Sequence, residues 1–209
     1  IITLSATCIS SIFFKSVYIT IIYFISLTLS FFSVKYGINI LNNKKLLQNI
    51  RTEGPLSHFS KKNTPTMGGI IIIPIFLLIL SINQFPSSEL KIILLFTFLG
   101  FFIIGLYDDF LSIKNKINLG LNVKQKLFLQ ILLAIVFTTL VRNNNYINSI
   151  ITIPFNYQID IKEFIFPLAI FTIVALSNSV NLTDGLDGLA AGCSSIVFCG
   201  LGIEILLNN

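Results

Sequence analysis

Residues 90–110 read LKIILLFTFLGFFIIGLYDDF, and this stretch decides the fold class. No charged residue lies between Ile92 and Tyr107, and a bilayer core of about 30 Å requires roughly 20 apolar residues per helix. The apolar run ends on two adjacent carboxylates, Asp108 and Asp109. The stretch therefore predicts a membrane-spanning helix that ends, near Tyr107, at an acidic pair.

The rest of the chain has the same apolar character. Its 209 residues are 54% hydrophobic and 11% charged, and the mean hydropathy is +0.87. This composition excludes a disordered, fibrous or nucleic-acid-binding chain. We predict an all-α fold, a polytopic transmembrane helix bundle, in one integral-membrane domain over residues 1–209. Six helices are expected near residues 16–36, 68–82, 90–107, 127–141, 164–180 and 189–207, of which the second and fourth are short.

The three cysteines indicate no disulfide framework or metal site. Cys8, Cys193 and Cys199 lie in apolar surroundings at no metal-ligand spacing, so we interpret them as small buried hydrophobes. The polar segments 143–145 and 154–162 are interpreted as a turn and a short loop. The chain begins without Met and stops just after a hydrophobic run, which is typical of a fragment.

Lysine and arginine residues predict the orientation of the helices, because loops rich in them stay on the cytoplasmic side. If the first helix runs from outside to inside, most of the 14 cations lie inside. These are Lys35, Lys44, Lys45, Arg51, Lys61, Lys62, Lys114, Lys116, Lys124 and Lys126. Three polar segments, 53–67, 108–126 and 181–187, then share the cytoplasmic face.

The acidic pair Asp108–Asp109 is the first candidate for chemistry. Neighbouring carboxylates at a membrane boundary repel one another unless a cation or a proton-transfer role compensates. A hard cation such as Mg²⁺, with a phosphate on its far side, suits two such oxygen ligands. The alternative is that the pair only marks the helix end in water, although acids at a helix C-terminus oppose the macrodipole.

The second candidate is the stretch NSVNLTDGLDGLA, which begins at Asn178. If a helix begins near Gly185, Asp184 and Asp187 lie on one face of it. Asn178 and Asn181 have the same spacing just before the break, so four oxygen-bearing side chains would meet at a helix N-terminus, which favours anions. Alternatively, Asp184 as N-cap and Asp187 at the third helical position form a capping box. A capping box explains the acids but not the asparagines or the glycines.

The third candidate is the segment EGPLSHFSKKNTPTMGG at residues 53–69. Its hydroxyls and the ammonium groups of Lys61 and Lys62 could bind a phosphate, or the lysines could simply contact anionic lipid headgroups. His58, the only histidine, is interpreted as a hydrogen-bonding loop residue. The lysines of residues 114–126 border the acidic pair and either steer an anionic substrate or satisfy topology.

Together these segments resemble the phospho-N-acetylmuramoyl-pentapeptide-transferase family of the polyprenyl-phosphate sugar-1-phosphate transferases. The matching stretches are EGPLSHFSKKNTPTMGG, GLYDDF at 105–110 with GLNVKQK at 120–126, and NSVNLTDGLDGLAAG at 178–192. Asn63 stands where the family usually has Gly. The family's fold has roughly ten helices, and its later half carries a Mg²⁺-binding aspartate and a histidine-rich loop. The chain therefore resembles the front part of such an enzyme.

The resemblance implies transfer of phospho-MurNAc-pentapeptide from UDP-MurNAc-pentapeptide to undecaprenyl phosphate, giving lipid I and UMP with Mg²⁺ at the cell inner membrane. It implies a catalytic role for Asp108 and Asp109, which are also candidate Mg²⁺ ligands beside a main ligand outside this chain. With Asn178 added from the spacing above, the implied substrate-binding residues are Lys61, Thr66, Asn178, Asn181, Asp184, Gly185, Leu186 and Asp187. Membrane lipid is an expected partner, nucleic acid is not, and a homodimer is left open.

Three other functions remain open on the sequence alone. A related enzyme that transfers GlcNAc-1-phosphate to a polyprenyl carrier would share the mechanism and differ in the sugar. A proton- or cation-coupled transporter also uses intramembrane acids, although here the acids lie at one membrane face and not at the midplane. The third is an inactive, truncated remnant.

Overall fold

The computed structural model describes residues 2–44, 65–83, 85, 87–115, 120–153, 157–184 and 188–208. Six α-helices form within these residues: α1 (Ile2–Asn43), α2 (Gly69–Ile82), α3 (Ser88–Asn115), α4 (Val123–Asn143), α5 (Ile165–Thr183) and α6 (Leu189–Asn208). Two short strands, β1 (Ile150–Ile153) and β2 (Tyr157–Asp160), and a single 3₁₀ turn at Lys162–Phe164 separate α4 from α5. The predicted all-α helix bundle is therefore confirmed.

Within the part of the chain that the structure describes, four helical segments are long and apolar enough to cross a membrane: Thr20–Asn43, Ser88–Asn115, Val123–Asn143 and Lys162–Thr183. The helices at Gly69–Ile82 and Leu189–Ile205 are apolar but shorter. The chain is thus a multi-pass membrane protein by the length and composition of its helices. Of the two helices predicted to be short, α2 is short, whereas α4 is a full-length span.

The first compact unit contains α1, α2 and α3. Gly37 of α1 is buried against Ile71 of α2, and an added Cβ there would overlap the Ile71 side chain. α2 and α3 run antiparallel, as two contacts show. The rings of Phe76 and Phe98 meet edge to face, with their centroids 4.7 Å apart. The Lys91 ammonium near the start of α3 donates to the Ser81 carbonyl near the end of α2. A small residue and aromatic rings thus set the helix contacts, as in other membrane bundles.

The second compact unit contains α4, α5, α6 and the strands β1 and β2. Its core lies between α4 and α5, where Leu133, Ala134, Thr138 and Val174 are buried. Ala134 is fully buried, and a side chain this small lets two helices approach closely. The α4–α5 pair is therefore the most tightly packed part of this unit.

The segment 154–162, which we predicted to be a short loop, contains strand β2, and β2 pairs with β1 just before the segment. β1 and β2 pair antiparallel, with Ile150 opposite Asp160 and Ile153 opposite Tyr157. The β-branched run Ile150-Ile151-Thr152-Ile153 favours a strand, and that signal was missed because the run is short. The backbone of residues 150–153 and 157–160 thereby forms its hydrogen bonds within a strand pair.

The interpretation of the cysteines as buried is wrong for two of them. Cys193 and Cys199 are free and exposed on α6, whereas the side chain of Cys8 lies outside the described residues. α6 packs mainly against α5, so its remaining faces stay uncovered within this unit. An apolar surface of this kind on a membrane helix requires no burial against protein.

Candidate functional site

Asp108 and Asp109 lie inside α3 and not at its end. The helix continues through Asn115, so the predicted end near Tyr107 is wrong. The apolar run marks the extent of the membrane core, whereas the helix itself continues because residues 110–115 contain neither Gly nor Pro. Both aspartate side chains are half-buried. The helix therefore holds two adjacent carboxylates on a rigid backbone near one end of the span.

Thr66 lies at the same end of the α2–α3 pair as the acids. An ideal Cβ at Gly69, the first residue of α2, would lie 3.7 Å from the Phe102 ring of α3. Asp108 follows Phe102 by a rise of about 9 Å along the helix axis, and Thr66 precedes Gly69 in the chain. The antiparallel packing thus places a hydroxyl residue and the acidic pair at the same end of the α2–α3 pair.

Gly120 allows the chain to pass close to Asp108. A Cβ added at this glycine would overlap the backbone carbonyl and the carboxylate of Asp108. Only a residue without a side chain permits so close an approach. Gly120 belongs to the GLNVKQK stretch. The close approach to Asp108 explains why a glycine stands at this position.

The second unit contains a ladder of polar contacts between α4 and α5, which we call the α4–α5 polar ladder: Lys126, Gln130, Ser177, Asn178 and Asn181. The Lys126 ammonium lies 3.5 Å from Oδ1 of Asn181. One turn further along α4, the buried Gln130 accepts a 2.8 Å hydrogen bond from Asn178 and donates a 3.3 Å bond to Ser177. Asn178 also donates to the Val174 carbonyl at 2.8 Å. The two predicted asparagines are therefore held on one face of α5 by side chains of α4.

Lys124 and Lys126 occupy an unusual position, because both lie in the first turn of α4. Asn122 is the N-cap of the helix, and its N–H donates to the Gln125 side chain at 3.2 Å. A cation in a first turn opposes the helix dipole, so these lysines do not stabilise the helix by their charge. Together with the positive end of the helix dipole, they favour an anion at this end of α4.

Asp184 is the C-cap of α5, so the alternative interpretation, in which it is the N-cap of the next helix, is wrong. Its backbone N–H donates to the Val180 carbonyl at 3.1 Å, and α6 begins only at Leu189. Gly188, at φ +79°, accepts the first hydrogen bond of α6 from Gly192. A carboxylate at a helix C-terminus is unfavourable for the dipole. Helix capping therefore does not explain the acid at position 184.

Four predicted site residues, Lys61, Gly185, Leu186 and Asp187, lie outside the described residues. Among the residues that are described, no group of three His, Cys, Asp or Glu side chains could hold a metal ion. The acidic pair is thus the main described source of hard oxygen ligands within the first unit.

Sequence reasoning missed Gln130 and Ser177, and it took Lys126 for a loop residue. The signal was the spacing of Lys126 and Gln130, four residues apart in an otherwise apolar helix. Polar side chains inside membrane helices usually face a partner helix. Their spacing could have indicated the face of α4, although not the identity of the partner.

Comparison with known proteins gives the family. The family model for glycosyl transferase family 4 matches residues 91–209, more than half of the chain. The chain belongs to glycosyl transferase family 4. A signature of phospho-N-acetylmuramoyl-pentapeptide-transferases also matches residues 61–73, as the quoted motifs predict.

Several curated relatives bear that same transferase name. One from Prochlorococcus marinus subsp. pastoris (strain CCMP1986 / NIES-2087 / MED4) is 52% identical over 202 residues, which cover 96% of this chain and 56% of the relative. Another from strain MIT 9301 is 49% identical, covering 98% of this chain and 57% of the relative. A third from Synechococcus sp. (strain WH7803) is 38% identical, covering 83% of this chain and 48% of the relative. The resemblance is confirmed, and the chain spans about half the length of the curated relatives it matches.

Proposed function

We propose that this chain forms the front part of a Mg²⁺-dependent phospho-N-acetylmuramoyl-pentapeptide-transferase of peptidoglycan synthesis. In the proposed reaction, a phosphate of undecaprenyl phosphate attacks the sugar-linked phosphorus of UDP-MurNAc-pentapeptide. The bond within the diphosphate breaks, UMP leaves, and lipid I remains in the membrane. The proposed location is the inner membrane, with the site facing the cytoplasm.

The α4–α5 polar ladder carries this proposal. Transfer of a phosphoryl group between two anions depends on positioning and charge neutralisation more than on covalent chemistry. The ladder presents a cation, Lys126, beside the carboxamide of Asn181 at the N-terminal end of α4. Lys124 and Lys126 oppose the helix dipole there, so their charge does not stabilise the helix. Binding of an anionic substrate would account for both lysines.

The acidic pair fits a role with Mg²⁺. This ion is commonly bound through one or two carboxylates together with substrate phosphates and water, and Asp108 and Asp109 supply two carboxylates on one rigid helix. When bound, Mg²⁺ would neutralise charge on the diphosphate. The two acids would hold the ion or orient the lipid phosphate, and Thr66 at the same end would offer a hydroxyl donor.

The test is an enzyme assay on a chimera that joins this chain to the part of the MED4 relative that it does not match. Detergent-solubilised chimera receives undecaprenyl phosphate, Mg²⁺ and either UDP-MurNAc-pentapeptide or UDP-GlcNAc, and released UMP is measured. The proposal predicts UMP release with the muramoyl substrate alone. Release with UDP-GlcNAc alone would instead indicate the GlcNAc-1-phosphate transferase, and no release from folded chimera would indicate an inactive remnant.

A further inference from the structure

A second polar site lies at the other end of the α4–α5 pair from Lys126 and Asn181. It is a cavity of about 500 Å³ between the last turn of α4, the loop 145–149 and the start of α5. This volume falls within the range of roughly 300–1,000 Å³ that is usual for small-molecule sites. None of the residues that line it belongs to the transferase motifs.

The cavity walls combine charge with an apolar side. Arg142, Lys162 and Glu163 supply two cations and one carboxylate, while Ile165 and Phe166 supply apolar surface. Arg142 and Glu163 pair at 2.5 Å. Among the described residues, the Lys162 ammonium makes no ion pair, so the charge balance of the cavity is positive. An anion with an attached apolar group matches both sides of this cavity.

The backbone around the cavity is held in place by specific turns. α4 ends in a Schellman motif, in which Asn145, at φ +56°, donates to the Arg142 carbonyl while Tyr146 donates to Val141. Lys162 also has a left-handed backbone, at φ +47°, and its N–H donates to the Asp160 carboxylate at 3.0 Å. The Ser149 hydroxyl and that N–H hold the pKa of Asp160 below its ordinary value. Asp160 is thereby occupied by local hydrogen bonds, and it does not line the cavity.

The position of the cavity identifies the class of ligand. The apolar spans Val123–Asn143 and Lys162–Thr183 both end at it, so the cavity opens where the membrane core meets the headgroup layer. Lys and Arg side chains at the ends of membrane helices reach into the interface, where the phosphates of lipid headgroups lie. A free phosphate would use the cations but leave Ile165 and Phe166 without a partner.

We propose that this cavity binds the headgroup of an anionic phospholipid, with the phosphate at Lys162 and Arg142 and an acyl chain along Ile165 and Phe166. The carboxamides of Asn145 and Asn148 offer further hydrogen-bond donors to the phosphate and glycerol oxygens. The site is separate from the proposed transferase chemistry, so its test does not require enzyme activity.

The test uses the absence of Trp from the sequence. Phe166→Trp places a single fluorophore in the cavity wall, and the variant chain is reconstituted in nanodiscs of a neutral galactolipid that contain a small fraction of brominated phosphatidylglycerol. Quenching of the tryptophan fluorescence should exceed that expected from the fraction of brominated phosphatidylglycerol in the nanodisc. Lys162→Gln should lower the apparent preference for phosphatidylglycerol over the neutral lipid about fivefold, the usual effect of one lysine near an anionic membrane surface. Lys91→Gln, the same charge change in the other unit, should leave the preference unchanged.

Two results would overturn the proposal. One is quenching that simply follows the fraction of brominated lipid in the nanodisc, or an equal loss of quenching in Lys162→Gln and Lys91→Gln. The other is displacement of the brominated lipid by millimolar inorganic phosphate, which would show that the cavity takes free phosphate and not a lipid. Native mass spectrometry measures the same preference without the tryptophan substitution. It counts the phosphatidylglycerol molecules retained by the unsubstituted chain and by Lys162→Gln, and the variant should retain fewer.

Discussion

At the scale of single residues, the acidic pair of α3 combines rigidity with a position at the end of the apolar run. Both carboxylates lie within a continuous helix, so replacing either with Asn keeps shape and removes charge. We predict that Asp108→Asn and Asp109→Asn each lower UMP release by the chimera at least about a hundredfold, the usual contribution of such a group. Glu89→Gln, in the first turn of the same helix, is the matched control. Near-normal turnover of both asparagine variants would remove the pair from the mechanism.

Asp184 yields a prediction in which stability and binding change in opposite directions. As the C-cap of α5, its carboxylate opposes the helix dipole, so Asp184→Asn should raise the free energy of unfolding slightly, by about 0.3–1 kcal/mol or less. The same change should weaken binding of the UDP-linked substrate if the carboxylate contacts it. Melting temperature and substrate affinity are measured on one preparation. Reduced melting with unchanged affinity would assign Asp184 a structural role.

Gly120 tests how closely the chain must approach Asp108. Gly120→Ala adds a methyl group that overlaps the Asp108 carbonyl and carboxylate, so it should lower turnover of the chimera with little change in the apparent affinity for the nucleotide substrate. Gly105→Ala is the control, because nothing lies within 4 Å of its added Cβ. Equal activity of the two alanine variants would show that the close approach is unimportant for turnover.

At the scale of the elements, the α4–α5 polar ladder should couple its members energetically. Hydrogen bonds between membrane helices contribute about 0.6 kcal/mol on average and up to about 1.7 kcal/mol. A double-mutant cycle with Gln130→Ala and Asn178→Ala, followed by unfolding in mixed micelles, should give a coupling energy in that range. A parallel cycle of Gln130→Ala with Thr172→Ala, whose hydroxyl bonds only within α5, should give none. Additive effects in the first cycle would mean that the two side chains do not support each other.

The helices could be predicted from hydropathy, whereas their ends and partners could not. The apolar run before Asp108 indicated where the membrane core ends, but the helix continues to Asn115 because membrane thickness and backbone propensity are separate constraints. Gly185 suggested an early start for α6, and Asp184 instead closes α5. Gln130 was passed over because one polar side chain in an apolar helix reveals its partner only after the helices pack.

At the scale of the whole molecule, the site residues that the sequence identified by type and spacing fall at defined ends of the helix pairs. Thr66 lies with the acidic pair in one unit, and Lys126 lies with Asn181 in the other. The single integral-membrane domain remains a prediction, as do Lys61 and the 185–187 segment as substrate-binding residues. These positions could be predicted only through the family motifs, since no local periodicity specifies a nucleotide contact.

The most direct test of the central claim is UMP release measured in parallel for the 209-residue chain alone and for its chimera with the unmatched part of the MED4 relative. Both receive Mg²⁺, UDP-MurNAc-pentapeptide and undecaprenyl phosphate. A reacting geometry displaced by about 1 Å can already cost a hundredfold in rate, so we expect no turnover without the further Mg²⁺ ligand that the family resemblance implies. We predict Mg²⁺-dependent release by the chimera and none by the chain alone. Robust release by the chain alone, or none by a folded chimera, would contradict the assignment of this chain as the front part of the transferase.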